Sequence, residues 1–178
     1  MTAFISWWQS AIVFGTVIMF GALGEILTQK SGHLNLGVPG EMFLGGFAGF
    51  TGAFLYGNST DNPSVVLLIL IPILCAMLAA GFGGLVYSFF TVTLKANQNV
   101  TGLALTYLGI GIGSFGGQYV TQKAGFTTYA RAQAAADVFS ASISKAVGNS
   151  SNWFIQMFLS YGFMIYIAII VAIILHIV

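Results

Sequence analysis

The side chains able to do chemistry here are few, and they gather in two short stretches. One is the run Ser31-Gly32-His33-Leu34-Asn35-Leu36-Gly37-Val38-Pro39-Gly40-Glu41, preceded by Glu25. The other is a series at spacings of three or four: Asn99, Gly102, Thr106, Gly109 and Gly113. Such spacing puts a series on one face of a helix. Neither stretch has the make-up of a catalytic centre. No glycine-rich phosphate loop of the GxxxxGK[ST] type occurs. His33 and His176 are too isolated to hold a metal, which needs partners at ligand spacing. No catalytic residue, metal or cofactor is therefore expected, and Cys75 reads as a small buried hydrophobe.

What these residues can do is meet a polar solute. Gly32, Gly37, Pro39 and Gly40 argue against a regular helix over Ser31–Glu41. Leu34, Leu36 and Val38 make the stretch too apolar for an ordinary solvated loop. Non-helical backbone at membrane depth is tolerated inside protein or beside a watery cavity, and it exposes N–H and C=O groups that a solute can use. The same spacing fits a tight turn with Glu41 near a helix start, where its charge suits the helix dipole. For the second series, the choice lies between a close helix–helix seam, with Thr106 bonded back to its own helix, and the lining of a polar path. Glu25 fits either an intramembrane functional carboxylate or an interfacial one paired with Lys30.

The elements that must position these residues are set by composition. Of 178 residues, 57% are hydrophobic and 5% charged, with a net charge of +1 and a mean hydropathy of +0.92. Soluble domains carry roughly 25% charged residues, so lipid must cover much of this chain. The charge balance offers no field for nucleic acid. A helix needs about 20 apolar residues to cross the bilayer. On that measure, spans are expected over Trp7–Leu27, Met42–Gly57, Val65–Leu94, Val100–Tyr119 and Trp153–Ile177. The expected fold is all-α: one polytopic transmembrane bundle over residues 1–178, with about five spans plus a broken or re-entrant segment at Ser31–Glu41. Residues 121–152 form an expected extracytoplasmic loop, with room for a surface helix over Ala132–Val147. Lys30 and Lys95 share one side of this layout, and the positive-inside rule puts that side in the cytoplasm.

Helices in lipid associate by close packing, which small residues permit. Among the 23 glycines, Gly45 and Gly49 share a face of the second span with Gly52. Gly83 belongs to small-xxx-small pairs in the third span. Gly109, Gly113 and Gly117 form a stripe on the fourth. These are the expected packing positions.

The run from Gly24 to Met42 resembles a signature region of bacterial ABC importer permeases of the branched-chain amino acid, ribose and nucleoside group. The run Leu94-Lys95-Ala96-Asn97-Gln98-Asn99-Val100-Thr101-Gly102-Leu103-Ala104-Leu105 resembles a conserved stretch of the nucleoside and simple-sugar branch, with Gln98 standing where Glu is frequent. The resemblance implies a permease subunit of the bacterial plasma membrane. It would work by alternating access, moving a nucleoside or simple sugar, and a separate cytoplasmic ATPase would drive it. It further implies a second permease subunit and an extracytoplasmic binding protein or lipoprotein as partners. Asn35, Gly37, Gly40, Glu41, Asn99, Gly102 and Thr106 are the residues expected to line or gate the path. Nothing here resembles the coupling helix of such permeases, and the chain reads as the front portion of a longer one. An ATP-independent channel, a secondary carrier and a non-transporting remnant are the rival readings.

Overall fold

The computed structural model describes residues 2–59, 62, 64–124, 137 and 153–177. Six α-helices account for nearly all of them: α1 (Thr2–Lys30), α2 (Val38–Ser59), α3 (Val65–Ser88), α4 (Gln98–Ala124), α5 (Trp153–Phe158) and α6 (Phe163–Ile177). A π-helical turn, Phe89–Thr93, follows α3 directly. The chain forms two compact units, one of residues 1–23 with 137–178 and one of residues 24–136. Among the described residues, three helical stretches have both the length and the apolarity of a membrane span: Phe4–Lys30, Val65–Thr93 and Gln98–Val120.

The other two expected spans differ from that standard in different ways. Helix α2 has 22 residues, about 33 Å at 1.5 Å per residue, so its length suffices. Its apolarity is low because glycine fills the positions that face its neighbours. It begins four residues before Met42, at Val38. Pro39, Gly40 and Glu41 are therefore helical rather than part of the broken segment. Proline is well placed in a first turn, where no intrahelical N–H bond is lost. The expected fifth span is two helices, broken at Leu159–Gly162. The carbonyls exposed by this break find partners in tyrosine hydroxyls. Tyr161 donates to the Met157 carbonyl at 2.7 Å and Tyr166 to the Phe158 carbonyl at 3.0 Å.

Helix α4 runs past Tyr119 to Ala124, so the polar stretch expected from residue 121 begins as helix. Most of the 121–152 loop, and the surface helix expected over Ala132–Val147, lie outside the described residues.

Within the unit of residues 24–136, α2 is the central helix, packed on α3 along one side and α4 along another. Gly45, Gly49 and Gly52 form the α3 side. A Cβ at Gly45 would lie 3.2 Å from the Ala76 carbonyl oxygen, and one at Gly49 would lie 3.1 Å from that of Pro72. A Cβ at Gly52 would meet Cys75 Sγ at 2.8 Å. Pro72 lies inside α3 and is buried there, so the helix starts before it, at Val65.

Candidate functional site

The non-helical stretch between α1 and α2 is shorter than the sequence implies, covering Ser31–Gly37. It starts at a Schellman turn. Gly32 adopts φ +87°, which suits a residue without Cβ. Its N–H reaches the Gln29 carbonyl at 2.9 Å, while the His33 N–H reaches that of Thr28 at 3.2 Å. This pair of bonds closes a helix end by satisfying its last carbonyls.

Beyond the turn, side chains from α1, α3 and α4 take up the segment's backbone groups. Leu34 donates its N–H to Gln98 Oε1 at 2.9 Å, and its carbonyl accepts from the Tyr87 hydroxyl at 2.7 Å. Asn35 donates its N–H to Glu25 Oε1 at 3.2 Å. The Leu36 carbonyl accepts from Thr106 Oγ1 at 2.7 Å, and the Gly37 N–H donates to Asn35 Oδ1 at 2.8 Å. Asn35 also donates from Nδ2 to Glu41 Oε1 at 2.9 Å. A buried peptide group left unpaired costs on the order of 1–3 kcal/mol. These partners are what allow a non-helical stretch to sit against helices.

Glycines bring the segment close enough for such bonds. A Cβ at Gly102 would lie 2.7 Å from the Leu36 nitrogen and 2.9 Å from that of Gly37. One at Gly37 would meet Leu105 Cδ2 at 2.9 Å. At Gly40 it would strike the Leu105 carbonyl and the Thr106 Cα, the latter at 2.6 Å. At Gly109 it would strike the Gly40 carbonyl, and the Gly40 Cα at 2.6 Å. Helices α2 and α4 therefore cross backbone on backbone at Gly40 and Gly109.

Six of the seven residues expected to line a path thus come together: Asn35, Gly37, Gly40, Glu41, Gly102 and Thr106. Thr106 bonds across to Leu36, not back to its own helix. Asn99 stands apart. It is exposed in the first turn of α4, where its N–H donates to Asn97 Oδ1 at 3.0 Å. Among the packing glycines, a Cβ at Gly83 would lie 3.0 Å from Glu41 Cγ and one at Gly113 would lie 3.3 Å from Phe43. Among the described residues, a Cβ at Gly117 would meet no side chain or neighbouring helix within 4 Å, whereas one at Gly116 would strike the Phe47 ring.

Three contributors were not among the residues expected to line the path. Glu25 serves Asn35 and Gln29 Nε2, the latter at 3.1 Å, rather than Lys30. Its Oε2 is buried without a hydrogen-bond partner among the described residues. Tyr87 carried a readable signal, since a phenol in an otherwise apolar helix needs a partner for its hydroxyl. Gln98 carried none beyond its place at a helix start, just after Asn97. Asn97 caps that helix by accepting from Asn99 and Val100.

The arrangement holds a kinked backbone at the end of a membrane span. Residues 9–178 match the family described as branched-chain amino acid transport system permease component. One relative, described provisionally as a glucose ABC transporter permease of Haloferax volcanii, is 35% identical over 115 residues, which are 65% of this chain and 32% of that protein. A guanosine ABC transporter permease of Bacillus subtilis is 26% identical over 57% of this chain and 31% of its own length. A nucleoside ABC transporter permease of Lactococcus lactis is 26% identical over 58% of this chain and 32% of its own. The chain thus spans about a third of the length of the curated relatives it matches. No solved structure matches it significantly. A match over nearly the whole chain, together with three helices of membrane length, identifies a multi-pass plasma-membrane protein that belongs to the branched-chain amino acid transport permease family.

Proposed function

We propose that this chain forms part of the permease subunit of an ABC importer that moves a nucleoside or simple sugar by alternating access. The family match over residues 9–178 carries this reading. The names of the relatives, one for glucose and two for nucleosides, support the solute class. In this reading a second permease subunit completes the path. A cytoplasmic ATPase supplies the energy, and an extracytoplasmic binding protein or lipoprotein delivers solute. Lys30 and Lys95 lie on the cytoplasmic side, and the 121–152 loop faces the binding protein.

Asn35, Gly37, Gly40, Glu41, Asn99, Gly102 and Thr106 line or gate the path. The clasped segment supports that role. It is a non-helical stretch on a rigid frame, able to present or withdraw polar groups as the helices beside it shift. The test is solute uptake by the complete transporter carrying Asn35→Leu or Thr106→Leu. Uptake falls at least tenfold, while the permease still reaches the membrane and still co-purifies with its ATPase. Undiminished uptake in both variants would remove these residues from the path.

A further inference from the structure

The bond between Gln98 and Leu34 has a consequence for His33. A glutamine amide offers one acceptor oxygen and an NH2 group that can only donate. Gln98 Oε1 accepts the Leu34 N–H, and a peptide N–H cannot accept in return. The orientation of the amide is therefore settled, and its Nε2 lies 3.0 Å from His33 Nδ1. Nδ1 must accept that hydrogen. The ring is then neutral, with its proton on Nε2.

A second proton on the imidazole makes both ring nitrogens donors. Nδ1–H would then face the NH2 of Gln98, donor against donor. Turning the amide over satisfies the ring but sets NH2 against the Leu34 N–H. Gln98 can serve Leu34 together with a neutral His33, but it cannot serve Leu34 together with a protonated one. We propose that Gln98 is a positioning residue of the Ser31–Gly37 segment and that protonation of His33 at Nδ1 releases its hold on Leu34.

The other titratable and charged groups on the surrounding elements are otherwise engaged or peripheral. Glu25 at the end of α1 bonds Asn35 and Gln29. Glu41 in α2 bonds the Asn35 amide, and Tyr87 of α3 bonds the Leu34 carbonyl. Lys30 ends α1 and Lys95 lies between α3 and α4, both exposed. Among the described residues, Gln98 is the hydrogen-bond partner of the His33 ring. The proposal stands on this geometry and does not depend on the transported solute.

The experiment is hydrogen exchange at the Leu34 amide of the full chain in lipid nanodiscs, at pH 8 and pH 5, corrected for intrinsic exchange. Ring nitrogen NMR reports the protonation of His33 in parallel. Protection of Leu34 falls about tenfold at pH 5, the worth of one hydrogen bond. In Gln98→Glu the sign reverses, because a carboxylate accepts from both Leu34 N–H and His33 Nδ1–H. In His33→Phe protection does not vary with pH. The proposal is overturned if Leu34 protection stays constant while the ring titrates, or if the ring remains neutral down to pH 5. It is equally overturned if Gln98→Glu loses protection at low pH as the native chain does.

Discussion

The two sides of α2 are both built from glycine, yet they do different work. Toward α3, Gly45, Gly49 and Gly52 receive carbonyl oxygens, alanine methyls and the Cys75 sulfur at distances an added methyl would press against. Several of those neighbours can yield by a few tenths of an ångström. Toward α4, Gly40 and Gly109 meet main chain to main chain, and Gly102 lies on the backbone of Leu36 and Gly37. Nothing there can yield without moving a whole helix. On the α4 side the glycines lie beside the polar groups of Asn35, Gln98 and Thr106, a network that Glu41 and Tyr87 join from the α3 side. Small residues at a membrane seam therefore serve two purposes. On one side they fit surfaces together, and on the other they bring a kinked backbone within reach of Thr106 and Gln98.

Substitutions along α2 and α4 can break or sharpen this contrast. The largest effect is expected from Gly109→Ala, whose new methyl collides with the Gly40 backbone. Overpacking of that kind costs about 3 kcal/mol, read as a lowered midpoint of unfolding in detergent. Asn35→Leu comes next. It strips the Gly37 N–H and Glu41 of their partner inside a buried site, at about 2 kcal/mol. Thr106→Val removes one donor from the Leu36 carbonyl and costs about 1 kcal/mol in the same assay.

On the α3 side, Gly49→Ala gains helix propensity and loses some fit. Its unfolding midpoint should lie close to that of the native chain, with a net change below about 1 kcal/mol. A loss as large as that of Gly109→Ala would erase the distinction between the two faces. Gly46→Ala is the control. A Cβ there meets nothing within 4 Å, so the variant should be more stable by about 0.5 kcal/mol.

Much of this was legible in the residues. The break after α1 follows from Gly32, and the α3 side of α2 follows from glycines at spacings of three and four. Gly102, Thr106, Gly109 and Gly113 do share a face, as their spacing implies. The series fails at its ends. Asn99 belongs to the capped first turn of α4, and Gly117 yields its place to Gly116. Helix phase drifts over several turns, so spacing alone loses track of a neighbour. The interruption of the fifth span escaped the sequence for another reason. Apolar length is continuous across Leu159–Gly162, but tyrosine hydroxyls satisfy a break that hydropathy cannot register.

By itself the sequence determined a membrane protein of helices, the place where its backbone leaves the helix, and the glycines that let helices approach. Those properties depend on composition and on contacts a few residues apart. Which groups hold the broken segment was decided by tertiary structure. Tyr87, Gln98 and Thr106 lie 53 to 70 residues from the backbone groups they serve. Local spacing carries no trace of those pairings. Those of Gln98 and Thr106 exist because α2 and α4 cross at Gly40 and Gly109, a crossing that brings the first turns of α4 level with Leu34 and Leu36.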